Sequence, residues 1–482
     1  MKKWPRRLAL ILIPLLLIYL IAGAVIPFAR YLPVSEATQE QIADTEFYQG
    51  TPGKEKVMLL ETNQSAWDER MRMMQLAEKE IIFSTFDIRD GESARDVMAV
   101  LLKKADEGVK VRMLVDGFSG LIRMEGRKVF YAVSSHPNIE IRIYNPMNLL
   151  TPWKTQGRMH DKYLIVDDDV FILGGRNTFD YFIGSYPTDD RSYDREVLVY
   201  NTAPSSGPGQ GLSQVRDYFE SVWALPVCKP FHDSERLANR KSVQEERAAL
   251  EARYERLAEE NPNLFLQSEE EYRRYYDTNT LEAGKITLIS NPTGIYAKEP
   301  VVFATIAELI RRAESSVIFH SPYIVLNTYM YQTLQEVSED VSDIRIMINS
   351  VENGDNFFAS SDYLRHKKEM AALGIPIYEY DGGMSYHGKS LVIDDRLSLI
   401  GSYNLDLRST YLDTELMLAI ESPELAAELT GYMEEFHKDC RLLLEDGSYQ
   451  IPEHLTIASV PAWKKAAWAV VGFLMQPFRF LI

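Results

Sequence analysis

One pattern constrains this chain more than any other, and it occurs twice. In "MHDKYLIVDDDVFILGGRN", Met159–Asn177, a histidine and a lysine stand two apart at the head of an apolar run. An extended chain points alternate side chains to opposite faces, so His160 and Lys162 share one face of that strand. "YHGKSLVIDDRLSLIGSYN", Tyr386–Asn404, repeats the layout with His387 and Lys389. In both copies an aspartate follows five positions after the lysine (Asp167, Asp394), and an asparagine stands 17 positions after the histidine (Asn177, Asn404). A lone buried histidine is usually structural. Two copies at one spacing point instead to a duplicated chain in which each half contributes one set of polar residues.

The flanking segments repeat as well. "SAWDERMRMMQLAEKEIIFSTFDI" and "VVFATIAELIRRAESSVIFHSPYI" each read as a helix and then a strand. "VKVRMLVDG" and "SDIRIMINS" follow, then "NIEIRIYNP" and "GIPIYEYDG", then the histidine strands. Helices alternating with short apolar strands predict an α/β fold whose sheets are covered on both faces. Downstream, "DREVLVY" and "DTELMLA" match again, which aligns Glu196 with Glu415. The charged stretch "ERLANRKSVQEERAALEARYERLAEE" breaks the repeat and reads as a solvated helical connector. The plan is an anchor over 1–30, one half over 31–230, a charged helical linker over 231–285, a second half over 286–445 and an apolar tail over 446–482.

Both ends point to a membrane. Leu8–Phe28 holds 21 positions without a charge, enough to span a hydrocarbon core of about 30 Å as a helix. Lys2, Lys3, Arg6 and Arg7 precede it, and the positive-inside rule then puts the body on the outer face of the plasma membrane. The rival is a cleaved signal peptide, with "AGA" at Ala22–Ala24 as its site; the length of the run favours a retained anchor. The tail "AWKKAAWAVVGFLMQPFRFLI" is too short to span. Trp463, Trp468, Phe473 and Phe480 suit a helix at headgroup level or one docked on the protein's own core. The net charge of −18 over 482 residues argues against general binding to nucleic acid, which relies on Lys and Arg neutralising phosphates. Cys228 and Cys440 make no zinc pattern and are either a long-range disulfide or two buried thiols.

Two histidines and two lysines in one site suit phosphodiester transfer. A neutral imidazole attacks phosphorus, and the second imidazole gives its proton to the leaving oxygen. Lys162, Lys389, Asn177 and Asn404 would hold the non-bridging oxygens. Glu196 and Glu415 are the candidate carboxylates for fixing the imidazole tautomers. Asp167 and Asp394 belong to the same motifs, where bracing the loops is the simpler role. Arg158, Arg176 and Arg408 are candidate headgroup contacts, and Arg191 stands with them in the sequence. No cofactor or metal is called for.

The doubled "HxKxxxxD" followed by "GGRN" or "GSYN" resembles the phospholipase D superfamily, over roughly Lys54 to Cys440. The resemblance implies two tandem phospholipase D-like α-β-α sandwich domains in a pseudo-twofold arrangement behind an N-terminal transmembrane helix. "HPNIEIRIYNP", "GGRN" and "GSYNLDLRSTYLDTE" look most like bacterial cardiolipin synthases of the C-type. That implies transfer of a phosphatidyl group to phosphatidylglycerol from a second phosphatidylglycerol or from phosphatidylethanolamine, with His160 as nucleophile and His387 as general acid. The alternatives are hydrolysis of phospholipid to phosphatidic acid, a nuclease or phosphodiesterase on the same core, and a non-catalytic lipid-binding descendant.

Overall fold

The computed structural model describes residues 4–341 and 343–482. Among them, two nine-stranded sheets share one eight-strand topology, with the ninth strand at opposite ends of the two orders. In the first half the order is Leu281–Glu282, Glu55–Leu60, Glu196–Asn201, Val170–Gly174, Tyr163–Val166, Glu80–Thr85, Lys110–Asp116, Ile139–Tyr144 and Cys228–Pro230. In the second it is Ile286–Ser290, Leu416–Glu421, Leu397–Gly401, Ser390–Ile393, Ser316–His320, Asp343–Asn349, Ile377–Tyr380, Cys440–Leu443 and Tyr449–Gln450. Three central strands of each sheet run parallel, and their partners on both sides are antiparallel. The histidine strands are continuous apolar runs, "YLIV" and "SLVI", because both of their faces are covered.

The inner faces of the two sheets share one core. Ile165, Phe171, Val197 and Val199 from the first meet Val392, Ile400, Leu416 and Leu418 from the second. The helices Gln210–Trp223 and Pro423–Lys438 complete this layer, with Phe219, Val222, Leu425 and Leu429 buried in it. Two stretches of backbone then stitch the halves together. Ser192–Tyr193 pairs in parallel with Ser385–Tyr386, and Met159 bridges to Thr414.

Asp167 and Asp394 sit at the ends of the histidine strands with φ of 46° and 53°, a left-handed conformation that Asp tolerates better than most residues. The Asp167 carboxylate accepts from the backbone N–H groups of Glu78, Lys79 and Glu80. Asp394 accepts from those of Glu314, Ser315 and Ser316. Each aspartate fastens its strand to the preceding helix–strand turn and lies away from the histidines, so neither contributes to the chemistry directly.

The charged connector differs from its expected solvated state. Lys241–Glu260 lays Val243, Leu250 and Leu257 onto the core of the first half, one apolar residue every seven positions. Tyr272 and Tyr276 of the helix Glu269–Asn279 join the same core. Only the outer faces of these helices carry the acid. Cys228 and Cys440 are both free and buried, open equivalent strands of different sheets, and form no disulfide.

The anchor helix runs Trp4–Val25, and Leu10–Phe28 has a mean hydropathy of 2.7. Its second half lies against the body: the Tyr19 hydroxyl donates to the Leu150 carbonyl at 2.8 Å, and Gly23 passes close to Pro152. Phe28 is fully buried beside Leu412 and Phe480. The tail helix Ala462–Leu474 docks one face on the protein's own core and leaves the other exposed. Trp468 is buried and stacks on Phe357, and Gly472 abuts the Ser361 carbonyl, whereas Trp463, Val470, Phe473 and Leu474 are exposed.

Candidate active site

The cross-half backbone contacts put the two histidines in place. The His160 N–H donates to the Thr414 carbonyl at 3.3 Å, and the His387 N–H donates to the Tyr193 carbonyl at 2.6 Å. In each case the next residue of the opposite half is a carboxylate. Glu415 Oε1 lies 2.9 Å from His160 Nδ1, and Asp194 Oδ2 lies 2.7 Å from His387 Nδ1. Each imidazole is therefore oriented by the other half's acid, and neither half contains a complete histidine–carboxylate pair.

This corrects one assignment. Register shows Gly174 opposite Glu196 and Gly401 opposite Met417, so Glu196 corresponds to Met417 and Asp194 to Glu415. Glu196 touches no histidine. It is fully buried in a two-pronged pair with Arg70 at 2.6 and 2.7 Å. The matching "DxE" triplets suggest an alignment that is two residues off. A slip of two preserves the inside–outside alternation of a strand, so the apolar pattern carries no sign of it.

The lysines close over their own histidine turns. Lys162 Nζ donates to the His160 carbonyl at 2.6 Å, and Lys389 Nζ donates to the His387 carbonyl. Phe86 packs edge-on to His160 at 5.0 Å, and Phe182 tilts against His387 at 5.2 Å. Both rings narrow the approach to the imidazoles. A cavity of about 340 Å³ exposes His160, His387, Asn404 and Arg408 together, and its outer lining includes Tyr323 and Phe358. A second cavity of about 670 Å³ meets it at Phe86 and His387 and carries Asn177. Asn404 Oδ1 is buried with no partner inside the protein, whereas Asn177 Oδ1 accepts from the Asp87 N–H at 3.2 Å.

Electrostatics differ between the halves. Burial, reinforced by Lys162 and Lys389, pushes His160 well below the usual imidazole value. Burial and Lys389 also lower His387, but Asp194 opposes them. Burial works against the charge on Asp194, yet Lys389 and His387 overcome it and hold the carboxyl down at about 2. Burial drives Glu415 upward, with Lys162 opposing. Burial also lowers Lys162 to about 7. Both rings therefore favour the neutral form, His160 more strongly, and Asp194 leaves His387 the better able of the two to hold a proton.

Of the three arginines, only Arg408 reaches the cavity with part of its surface free; it is held by Asp413 and Gln156. Arg176 is fully buried, and its guanidinium is committed to the Leu60, Glu61 and Asp194 carbonyls. Arg158 is spent on the Gly157 and Asn145 carbonyls and braces the loop between them. Both are corrected from headgroup contacts to framework. The motifs gave no warning of the acidic wall of the larger cavity, made by Asp87, Asp90, Asp180, Asp189, Asp190 and Asp355. No cluster of three or more His, Cys, Asp or Glu side chains suited to a metal ion occurs among the described residues.

Comparison with known proteins bears on the family and the fold. The family described as "Cardiolipin synthase, PLD-like domain" matches residues 71–223 and 306–437, one match in each half. Cardiolipin synthase C of Escherichia coli is 26% identical over 428 residues, covering 78% of this chain and 83% of that protein. An uncharacterised protein of Helicobacter pylori is 25% identical over 437 residues, covering 83% of this chain and 80% of that protein. The crystal structure of phosphatidylserine synthase from Haemophilus influenzae superposes with a TM-score of 0.62 at 14% identity, covering 93% of this chain and 99% of that one, which bears on the fold alone.

Proposed function

The chain belongs to the phospholipase D superfamily, and from that premise we propose that it is a membrane-bound phosphatidyltransferase that makes cardiolipin. The carrying observation is the pair of imidazoles on one cavity, each fixed by a carboxylate of the opposite half. In the proposed reaction, neutral His160 attacks the phosphorus of a phospholipid through Nε2. Charged Asp194 supports the proton on His387, which passes it to the departing headgroup oxygen. The phosphatidyl group is then covalently bound to His160. A hydroxyl of phosphatidylglycerol enters, gives its proton to His387 and attacks the phosphorus, which frees His160. Lys162, Lys389, Asn177 and Asn404 hold the non-bridging oxygens, and Arg408 contacts a headgroup or phosphate at the rim. The phospholipid substrate class is taken from the name of the matched cardiolipin synthase; the exposed apolar face of the tail suits a substrate that stays in the bilayer.

The test is the purified chain with phosphatidylglycerol alone and then with phosphatidylethanolamine added, with the products separated by mass. Cardiolipin with free glycerol or with ethanolamine supports transfer and identifies the donor. Phosphatidic acid as the sole product replaces transfer with hydrolysis. Acid quenching and peptide mapping should find the phosphatidyl adduct on His160; an adduct on His387 reverses the two roles.

A further inference from the structure

A third cavity, of about 600 Å³, lies between the anchor helix and the first half. Its walls are apolar: Ile21 and Ala24 from the helix, and Phe118, Met147, Leu149 and Pro152 from the body. It shares Phe86 and Arg408 with the cavity that exposes both histidines, so the two adjoin at these side chains. The geometry points to this groove as the seat of the acyl chains of the phospholipid whose phosphate lies at His160 and His387. This rests on reading the site as one that acts on phospholipids.

Depth supports that occupant. The helix is exposed from Leu10 to Tyr19 and partly covered by the body from Leu20 onward. From Leu8, the first residue past Arg7, to Tyr19 the helix rises about 17 Å at 1.5 Å per residue, a little over half of a hydrocarbon core. The Tyr19–Leu150 hydrogen bond therefore holds the groove's mouth near the bilayer midplane, and Phe28 lies about 13 Å further along the helix. The loop carrying Leu149 and Leu150, 69% and 79% exposed, then lies among lipid tails. A groove opening at that depth is filled by hydrocarbon, not water, and leads to a guanidinium. That sequence of surfaces, apolar and then cationic, matches a phospholipid from its tails to its phosphate.

The test uses the full chain in nanodiscs of phosphatidylcholine containing phosphatidylglycerol with a diazirine near one acyl terminus. After irradiation, adducts are mapped by peptide mass. Adducts should concentrate in Leu20–Val25 and Met147–Gln156, and Leu149→Asp and Phe118→Asp, both at exposed positions, should each reduce them at least fivefold. Adducts confined to Leu10–Tyr19 and the tail, or an undiminished yield in both variants, would overturn the groove. Adducts in the groove without cardiolipin synthesis would uphold the groove and remove phosphatidyl transfer. Cardiolipin synthesis without such adducts would do the reverse.

Discussion

Replacing Asp194 by asparagine keeps an acceptor beside His387 Nδ1 but removes the charge that favours the imidazolium. Turnover should fall about 10²- to 10⁴-fold with the fold intact. Glu196→Gln should show the opposite profile. It leaves Arg70 charged and unmatched in the core, at a cost of about 3–5 kcal/mol, while the surviving folded protein turns over normally. Kinetics and thermal unfolding on both variants separate the roles; equal loss of turnover from folded protein in each would contradict them. A pH profile tests the same centre. His160 holds its proton less tightly than an ordinary imidazole, so the acid limb of kcat/KM, where the nucleophile becomes protonated, should lie below about pH 6.5. The alkaline limb follows from loss of the proton on His387, also lowered, and of the charge on Lys162, lowered to about 7. A profile flat from about pH 5 to 9 would rule out these assignments.

At the level of elements, the tail helix carries two surfaces with separate energetic roles. Trp468 is buried against Phe357, so Trp468→Ala should cost about 3–5 kcal/mol of stability. Phe473 is 64% exposed, and Phe473→Ser should move the unfolding temperature by little. Equal losses from the two would mean that the outer face is also packed. The duplicated strands and the two His-Lys-Asn sets were legible in the sequence because a period-two pattern and an exact spacing survive without tertiary information. The carboxylate partner of His387 was not, because a register slip of two leaves that pattern unchanged. The connector misleads for a related reason. Its apolar positions, Val243, Leu250 and Leu257, are sparse enough for the charges between them to dominate the composition. The buried fates of Arg158 and Arg176 depend on carbonyls supplied by distant segments, which no local pattern encodes.

For the whole molecule, the positive residues before the anchor favour a body outside the cytoplasm. A single cysteine on the exposed face of Lys241–Glu260, in a Cys228→Ser/Cys440→Ser background, should react with an impermeant maleimide in intact spheroplasts. Reaction only after lysis would place the body inside and leave the chemistry unaffected. The exchange of carboxylates between the halves also sets a clock on synthesis. Glu415 follows His160 by 255 positions. At roughly 5–20 residues per second, the ribosome needs some tens of seconds to cover that distance. During that interval the first half can already be tethered beside lipid with His160 and Lys162 present and their acid not yet made. On the proposed reading, a nascent chain meets lipid some tens of seconds before its site is complete, and activity should arrive only when the second half docks.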